Sequence, residues 1–271
     1  MRKINNEDSP NAFSPGSVTI KKITVSKFLV IYTCNCDLCI QNKNGAFFFP
    51  KGRFIFIGRN MSFSCQINKL NSEKRPYKAI RLNKNEVLTL INILKSICVF
   101  HPDEYMHGKE SNNKIICVED NNEWAYIFNR IVSSRDSSLK ILKLAYMISR
   151  MGITQDIMLS LISSALITFT DKIRELIENN ISIKWRLSMI ADKFNLTEVS
   201  VRKRLEAEGT SFSKLLLDIR MNRALQLLLQ SELQIPQISR SVGFSGLSYF
   251  IKSFRNYFGI TPKQFIIYFR C

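Results

Sequence analysis

Two short arcs of side chains hold the chain's best-placed chemical groups. One is Val199, Ser200, Arg202 and Lys203; the other is Leu247, Ser248, Ile251 and Lys252. Their chemistry is recognition rather than bond-breaking. Arg and Lys suit guanine edges, hydroxyls suit several bases, and an apolar side chain can meet a thymine methyl. Arg255 and Asn256, a turn beyond the second arc, suit phosphate oxygens, as does Lys263. Other candidates carry less. Cys34, Cys36 and Cys39 form a C-x-C-x-x-C cluster, but no fourth ligand lies nearby. Alternation through 29–39 reads as a strand, which would split their directions, so no metal is expected. His101 and His107 flank Pro-Asp-Glu-Tyr and read as exposed loop residues. There is no G-x-S-x-G, no phosphate-binding glycine loop and no H-E-x-x-H, so neither an enzyme nor a bound cofactor is expected.

The arcs need elements to present them, and the sequence writes those elements twice. Ile190, Ala191, Phe194, Leu196, Val201, Leu205 and Gly209 are answered by Ile238, Ser239, Val242, Phe244, Phe250, Phe254 and Gly259. The offset is 48 residues at Ile190/Ile238 and at Leu196/Phe244, then 49 at Leu205/Phe254 and 50 at Gly209/Gly259. Each copy reads as a short amphipathic helix, a turn, and a second helix ending at glycine. That is a helix-turn-helix, whose second helix enters the major groove of double-stranded DNA. The expected units span about 187–208 and 235–258. In the first, Leu187, Ile190, Ala191 and Phe194 face inward, Asn195-Leu196-Thr197 turns, and Thr197 caps the next helix. In the second, Phe250 and Phe254 turn inward. Ser211 to Leu229 reads as one long helix joining the two, and Thr261-Pro262-Lys263-Gln264 starts a final one.

Charge agrees without deciding. The 271 residues carry 39 Lys and Arg against 22 Asp and Glu, a net +17, which favours a polyanion. Residues 170–271 carry 16 basic and 9 acidic side chains, and the other +10 lies before them. The basic excess is therefore not confined to the repeat.

The rest of the chain divides by pattern. Residues 1–18 are polar and read as a mobile arm. Strand-length apolar segments follow at 27–33, 46–49, 53–57, 62–67 and 77–82, as in a small antiparallel sandwich or barrel. Helical spacing begins at Val87, Leu90, Ile91 and Leu94. One strand is expected at 114–118, then helices over 122–132, 137–150 and 154–177, the last breaking near Thr168–Thr170. The fold class is α+β: a β-rich first half with flanking helices over 19–168, and an all-α second half over 169–271. No apolar segment suits a signal peptide or a membrane span, and seven irregularly spaced cysteines suit reduced thiols, so a cytoplasmic protein is expected.

The stretches I-A-D-K-F-N-L-T-E-V-S-V-R-K-R-L-E-A-E-G-T-S-F (190–212) and G-F-S-G-L-S-Y-F-I-K-S-F-R-N-Y-F-G-I-T-P-K-Q-F (243–265) resemble the signature of the AraC/XylS family of bacterial transcription regulators. S-E-K-R-P-Y-K-A-I-R-L-N (72–83) and I-Y-T-C-N-C (31–36) resemble that family's enterobacterial virulence-gene activators. The resemblance implies a cupin-like N-terminal domain that binds an effector or forms a homodimer through its helical part. It also implies a DNA-binding domain that recruits RNA polymerase at A/T-rich promoters. Two positions depart from the pattern. Ser239 stands where the family usually has Ala, and Leu247 and Ile251 replace polar residues on the second arc. Sparse donors there fit readout through DNA shape and thymine methyls.

The resemblance further implies a small carboxylate-type effector, a fatty acid or bicarbonate. Phe28, Val30, Phe54, Phe56 and Ile80 are expected to line its cavity. Arg81, alternating with Ile80 and Leu82, either meets solvent or anchors the anion, and Lys27 is the second candidate. Against the transcription activator stands a basic architectural or RNA-binding protein that does not choose sequence, and a ligand-binding or enzymatic N-terminal module with DNA binding secondary.

Overall fold

The computed structural model of the chain describes residues 13–14, 16–98, 115–121, 123–230 and 232–270. It divides into two compact units. Residues 24–166, with 14–18, belong to the first, and residues 167–271, with 19–23, to the second.

The first unit is built on two antiparallel sheets. Strands β1 (Phe13–Ser14), β2 (Ser17–Val25), β4 (Cys36–Asn42), β5 (Gly45–Phe49) and β7 (Met61–Lys69) form one, ordered β1-β2-β7-β4-β5. Strands β3 (Phe28–Tyr32), β6 (Arg53–Ile57), β8 (Lys78–Leu82) and β9 (Ile115–Glu119) form the other, ordered β8-β3-β6-β9. Among the described residues its helices are α1 (Lys84–Ile97), between β8 and β9, then α2 (Glu123–Val132), α3 (Ser137–Arg150) and α4 (Thr154–Ala165).

The four-stranded sheet is buried on both faces. Val30 pairs with Phe56 and with Ile80, so these three share a face with Phe28, Phe54 and Leu82. That face packs against Val87, Leu90 and Leu94 of α1, Phe128 of α2, Leu144 and Ile148 of α3 and Leu161 of α4. Leu29, Ile31, Ile55 and Ile57 alternate with them and are buried too. In the other sheet, Leu38 pairs with Ile67 and Ile40 with Cys65, all four buried, while Cys39 and Gln41 take the opposite side.

These registers correct the expected effector cavity. Phe28, Val30, Phe54, Phe56 and Ile80 fill the core between sheet and helices rather than lining a void. Period-2 alternation defines two faces but does not say which one the helices cover. The expected strand over 29–39 is also interrupted. Thr33 Oγ1 donates to the Pro50 carbonyl at 2.9 Å and accepts from the Arg53 amide at 2.8 Å. Asn35 Nδ2 donates to the Asn71 carbonyl at 2.8 Å. These bonds pull the chain out of one sheet and into the other. The end of the expected arm, at residues 13, 14, 17 and 18, is strand, with Val18 fully buried. Its earlier part, 1–12, and both histidines lie outside the described residues.

The second unit is helical: α5 (Phe169–Asn179), α6 (Leu187–Lys193), α7 (Glu198–Ala207), α8 (Phe212–Gln230), α9 (Ile235–Ser241), α10 (Leu247–Phe258) and α11 (Pro262–Phe269). The expected helix over 154–177 breaks between α4 and α5, where Thr168 and Asp171 form a capping box at 3.0 and 3.2 Å. Ile173, Ile177, Trp185, Ile190, Val201, Leu205, Leu215 and Ile219 make one core. In the second half Phe254 lies 4.5 Å from Phe258 and 6.2 Å from Phe265, ring centre to ring centre. Among the described residues no helix is long and apolar enough to cross a membrane.

Candidate nucleic-acid interface

The two helix-turn-helix units repeat down to single hydrogen bonds. The Leu196 amide donates to the Ala191 carbonyl at 2.9 Å, and the Phe244 amide donates to the Ser239 carbonyl at 3.0 Å. Each pair stands 48 residues from its counterpart. Asn195 and Gly243 occupy the same turn position with φ of 51° and 82°. Residue 239 is 2% exposed, so only a small side chain fits and Ser replaces Ala without rearrangement.

In α7, Val201 and Leu205 are fully buried, which fixes the opposite arc. Val199 is 60% exposed, and Arg202 and Lys203 are exposed beside it. Two members of the expected arc are already engaged. The Ser200 amide donates to the Thr197 Oγ1 cap at 3.2 Å, and its hydroxyl lies 2.9 Å from the same oxygen. Arg202 reaches Glu198 at 3.4 Å, one turn back, an exposed pair that DNA can break at little cost. Lys203 follows Arg202 and is exposed.

Arg204 of α7 and its C-cap Glu208 hold it in place. The Arg204 guanidinium lies 5.4 Å from the centre of the Phe169 ring. Glu208, at the helix's end, accepts from the Phe169 and Thr170 amides at 2.7 and 2.8 Å. A carboxylate thus caps the start of α5, where the helix dipole favours negative charge.

In α10, Phe250, Phe254 and Phe258 turn inward. Ser248, Lys252, Arg255 and Asn256 are exposed on the far side. Leu247 is 40% exposed and Ile251 half-buried, so these two border the arc rather than centre it. Tyr249, 66% exposed, was absent from the sequence reading. Counting from Lys252 and Asn256 at helical spacing would have found it, because 249, 252 and 256 share one face. Lys263 is exposed in the first turn of α11, whose Thr261/Gln264 capping box closes at 2.9 and 3.3 Å.

Behind the arcs, Asp218 of α8 is buried and accepts the Tyr257 hydroxyl at 2.7 Å. That bond ties the linker helix to the last turn of α10. Cys36 and Cys39 do not converge. Cys36 shares the buried face with Leu38 and Ile40 while Cys39 faces away, and burial pushes the Cys36 thiol up to about 12.

Two outward recognition helices, each backed by a closed core, define a tandem helix-turn-helix DNA-binding regulator. The comparisons agree. A family model described as a helix-turn-helix domain matches residues 190–266. The HTH-type transcriptional activator CfaD of Escherichia coli is 37% identical over 253 residues, 93% of this chain and 95% of that protein. The DNA-binding dual transcriptional regulator Rns of Escherichia coli is 36% identical over 254 residues, 94% and 96%. The virulence regulon transcriptional activator VirF of Shigella flexneri is 34% identical over 247 residues, 91% and 94%. The chain belongs to the AraC/XylS family of transcription regulators.

Among solved structures, an apo variant of ToxT from Vibrio cholerae matches with a TM-score of 0.67 at 16% identity, over 93% of both chains. Wild-type ToxT with an unsaturated fatty acid bound matches at 0.62 and 16%, over 93% of this chain and 91% of that one. At this identity the likeness is one of fold: a cupin-like N-terminal part and a helix-turn-helix C-terminal part.

Proposed function

We propose that this protein activates transcription from A/T-rich promoters of virulence or colonisation genes, under control of a small anionic effector. The observation that carries the reading is the repeat: two outward recognition helices joined by one 19-residue helix. Such a helix is about 28 Å long, of the order of the roughly 34 Å between successive major grooves. The second arc presents Leu247, Tyr249 and Ile251 beside Ser248 and Lys252, apolar surface that suits A/T-rich DNA read partly by shape and thymine methyls. The named relatives are activators and virulence regulators.

The effector belongs to the first unit. Arg81 is half-buried opposite Leu29, on the sheet face turned away from α1 to α4. It is the anchor for a fatty-acid carboxylate or bicarbonate, with Lys27, exposed at the start of β3, the second cation. The fatty acid bound to ToxT supports this chemistry. RNA polymerase is the partner at the promoter, and the protein works in the bacterial cytoplasm on the nucleoid. A homodimer forms through α3, where Leu139, Leu142 and Tyr146 are each about half exposed at one helical stripe.

Footprinting of the full chain, with and without a long-chain fatty acid or bicarbonate, tests the reading. A discrete site covering two successive grooves, altered by the carboxylate, is expected. A uniform smear would favour the non-specific architectural alternative.

A further inference from the structure

A notch of about 400 Å3 opens in the second unit between its two helix-turn-helix halves. Arg220 of α8 forms its floor. Lys184, from the segment before α6, and Arg240, near the end of α9, stand on its rim with Ser245 and Tyr249 around the start of α10. No carboxylate lines it.

Arg220 is held but not satisfied. Its Nη2 donates to the Ile183 carbonyl at 3.0 Å, and its guanidinium lies 5.8 Å from the Phe244 ring centre. Its Nε is buried and has no hydrogen-bond partner among the described residues. Burial also pulls its pKa down, the sign of a cation short of compensating charge. The backbone is shaped around it: a Cβ at Gly243 would stand 2.8 Å from Nη2. Three cations, with a spare donor on Arg220, and the hydroxyls of Ser182, Ser245 and Tyr249 suit a phosphate oxyanion.

The rim selects the source of that phosphate. Ser245 and Tyr249 flank the start of the second recognition helix, the end that enters the groove. Lys184 leads into the first helix of the other unit, the kind of helix that crosses the DNA backbone.

We propose that the notch seats one backbone phosphate of the bound duplex, lying between the two grooves read by α7 and α10. The proposal rests on the DNA-binding reading above. Its seat joins both units to one strand, so it fixes their register on the duplex without reading sequence.

The rim residues Lys184 and Arg240 are exposed, so the double variant Lys184→Ala/Arg240→Ala should keep the wild-type melting temperature. Both full chains are titrated, at several salt concentrations, onto a duplex selected by the wild type from a random pool. The variant should bind at least tenfold more weakly, and its slope of log K against log salt should shrink by about 1 to 2. A single neutral methylphosphonate placed between the protected grooves should weaken the wild type and leave the variant unchanged. Wild-type affinity and slope in the variant would overturn the proposal while leaving DNA binding intact. So would a notch that only takes free phosphate, seen as wild-type thermal stabilisation by inorganic phosphate, lost in the variant, with DNA affinity unaltered. Failure of the wild type to select any duplex would remove the DNA-binding reading itself, and this proposal with it.

Discussion

Asn195 and Gly243, 48 residues apart, hold the same left-handed turn in the two helix-turn-helix units, but only one of them has room for a side chain. At Gly243 a Cβ would meet Arg220 Nη2 and the Ile181 carbonyl oxygen, both at 2.8 Å. The carbonyl is backbone and cannot swing away. Asn tolerates positive φ through its short polar side chain. Asn195→Gly should therefore change stability by less than about 1 kcal/mol. Gly243→Ala should cost about 2–4 kcal/mol, combining left-handed strain with overpacking. Thermal melts of the two variants check this, and equal losses would mean the turns are equivalent after all.

The Asp218–Tyr257 bond predicts a defect remote from the DNA. Tyr257→Phe keeps the ring and removes the hydroxyl donated to a buried carboxylate. A loss of about 1–3 kcal/mol is expected, with base preference unchanged. An altered preference on selected duplexes would show that this contact sets the angle of α10 rather than only its stability.

Base reading should separate two neighbours on α7. Lys203 is exposed, with no hydrogen-bond or ion-pair partner among the described residues, whereas Arg202 must first quit Glu198 at 3.4 Å. Lys203→Ala should cost about 1–3 kcal/mol at the selected site and relax one base position. Equal losses on selected and random duplexes would demote Lys203 to a phosphate contact.

Inserting one alanine beside Arg223, in the middle of α8, turns everything after it by about 100°. Protection should shrink to one groove and activation should disappear, while each half stays folded. Unchanged protection of both grooves would mean that the linker bends.

Glu86 gives the first unit a signed pH response. Burial acts to raise its pKa, but the Asn83 amide, the Ser137 hydroxyl and Lys140 outweigh burial and leave it below the ordinary value. The bonds measure 2.8, 2.9 and 3.3 Å. A depressed folded pKa stabilises in full above the unfolded carboxylate's value of about 4.3, and the gain is lost as pH falls through the folded value. Glu86→Gln should thus melt lower than wild type at neutral pH and converge with it in acid. A constant gap across that range would remove the ionic part of the argument.

The helical half was readable because its information is local. Caps at Thr197 and Thr261, inward aromatics at Phe250 and Phe254, and the 48-residue repeat all show in short windows. What escaped depends on partners far along the chain. β2 hides its ends, Val18 and Val25, behind a Lys21-Lys22 pair in mid-strand. Thr33 and Asn35 end a strand only because Pro50, Arg53 and Asn71 come to meet them. The choice of face for Phe28 and Val30 was settled by helices of which the nearest, α1, begins more than fifty residues later. Arg220, Asp218 and Glu208 read as ordinary surface charges until their partners at Ile183, Tyr257 and Phe169 are in place. Tyr249 is different, since its helical spacing was there to be counted.

The Glu208 grip on the first amides of α5 has a consequence for how this regulator can change over generations. Thr197 at one end of α7 and Glu208 at the other fix the helix, and Val201 and Leu205 seat it. None of these four lies on the outward arc. Val199 and Lys203 can therefore mutate one codon at a time without loosening the fold that carries them. New promoters can be recruited and old ones dropped by drift on that arc, and the lineage never has to pass through an unfolded intermediate.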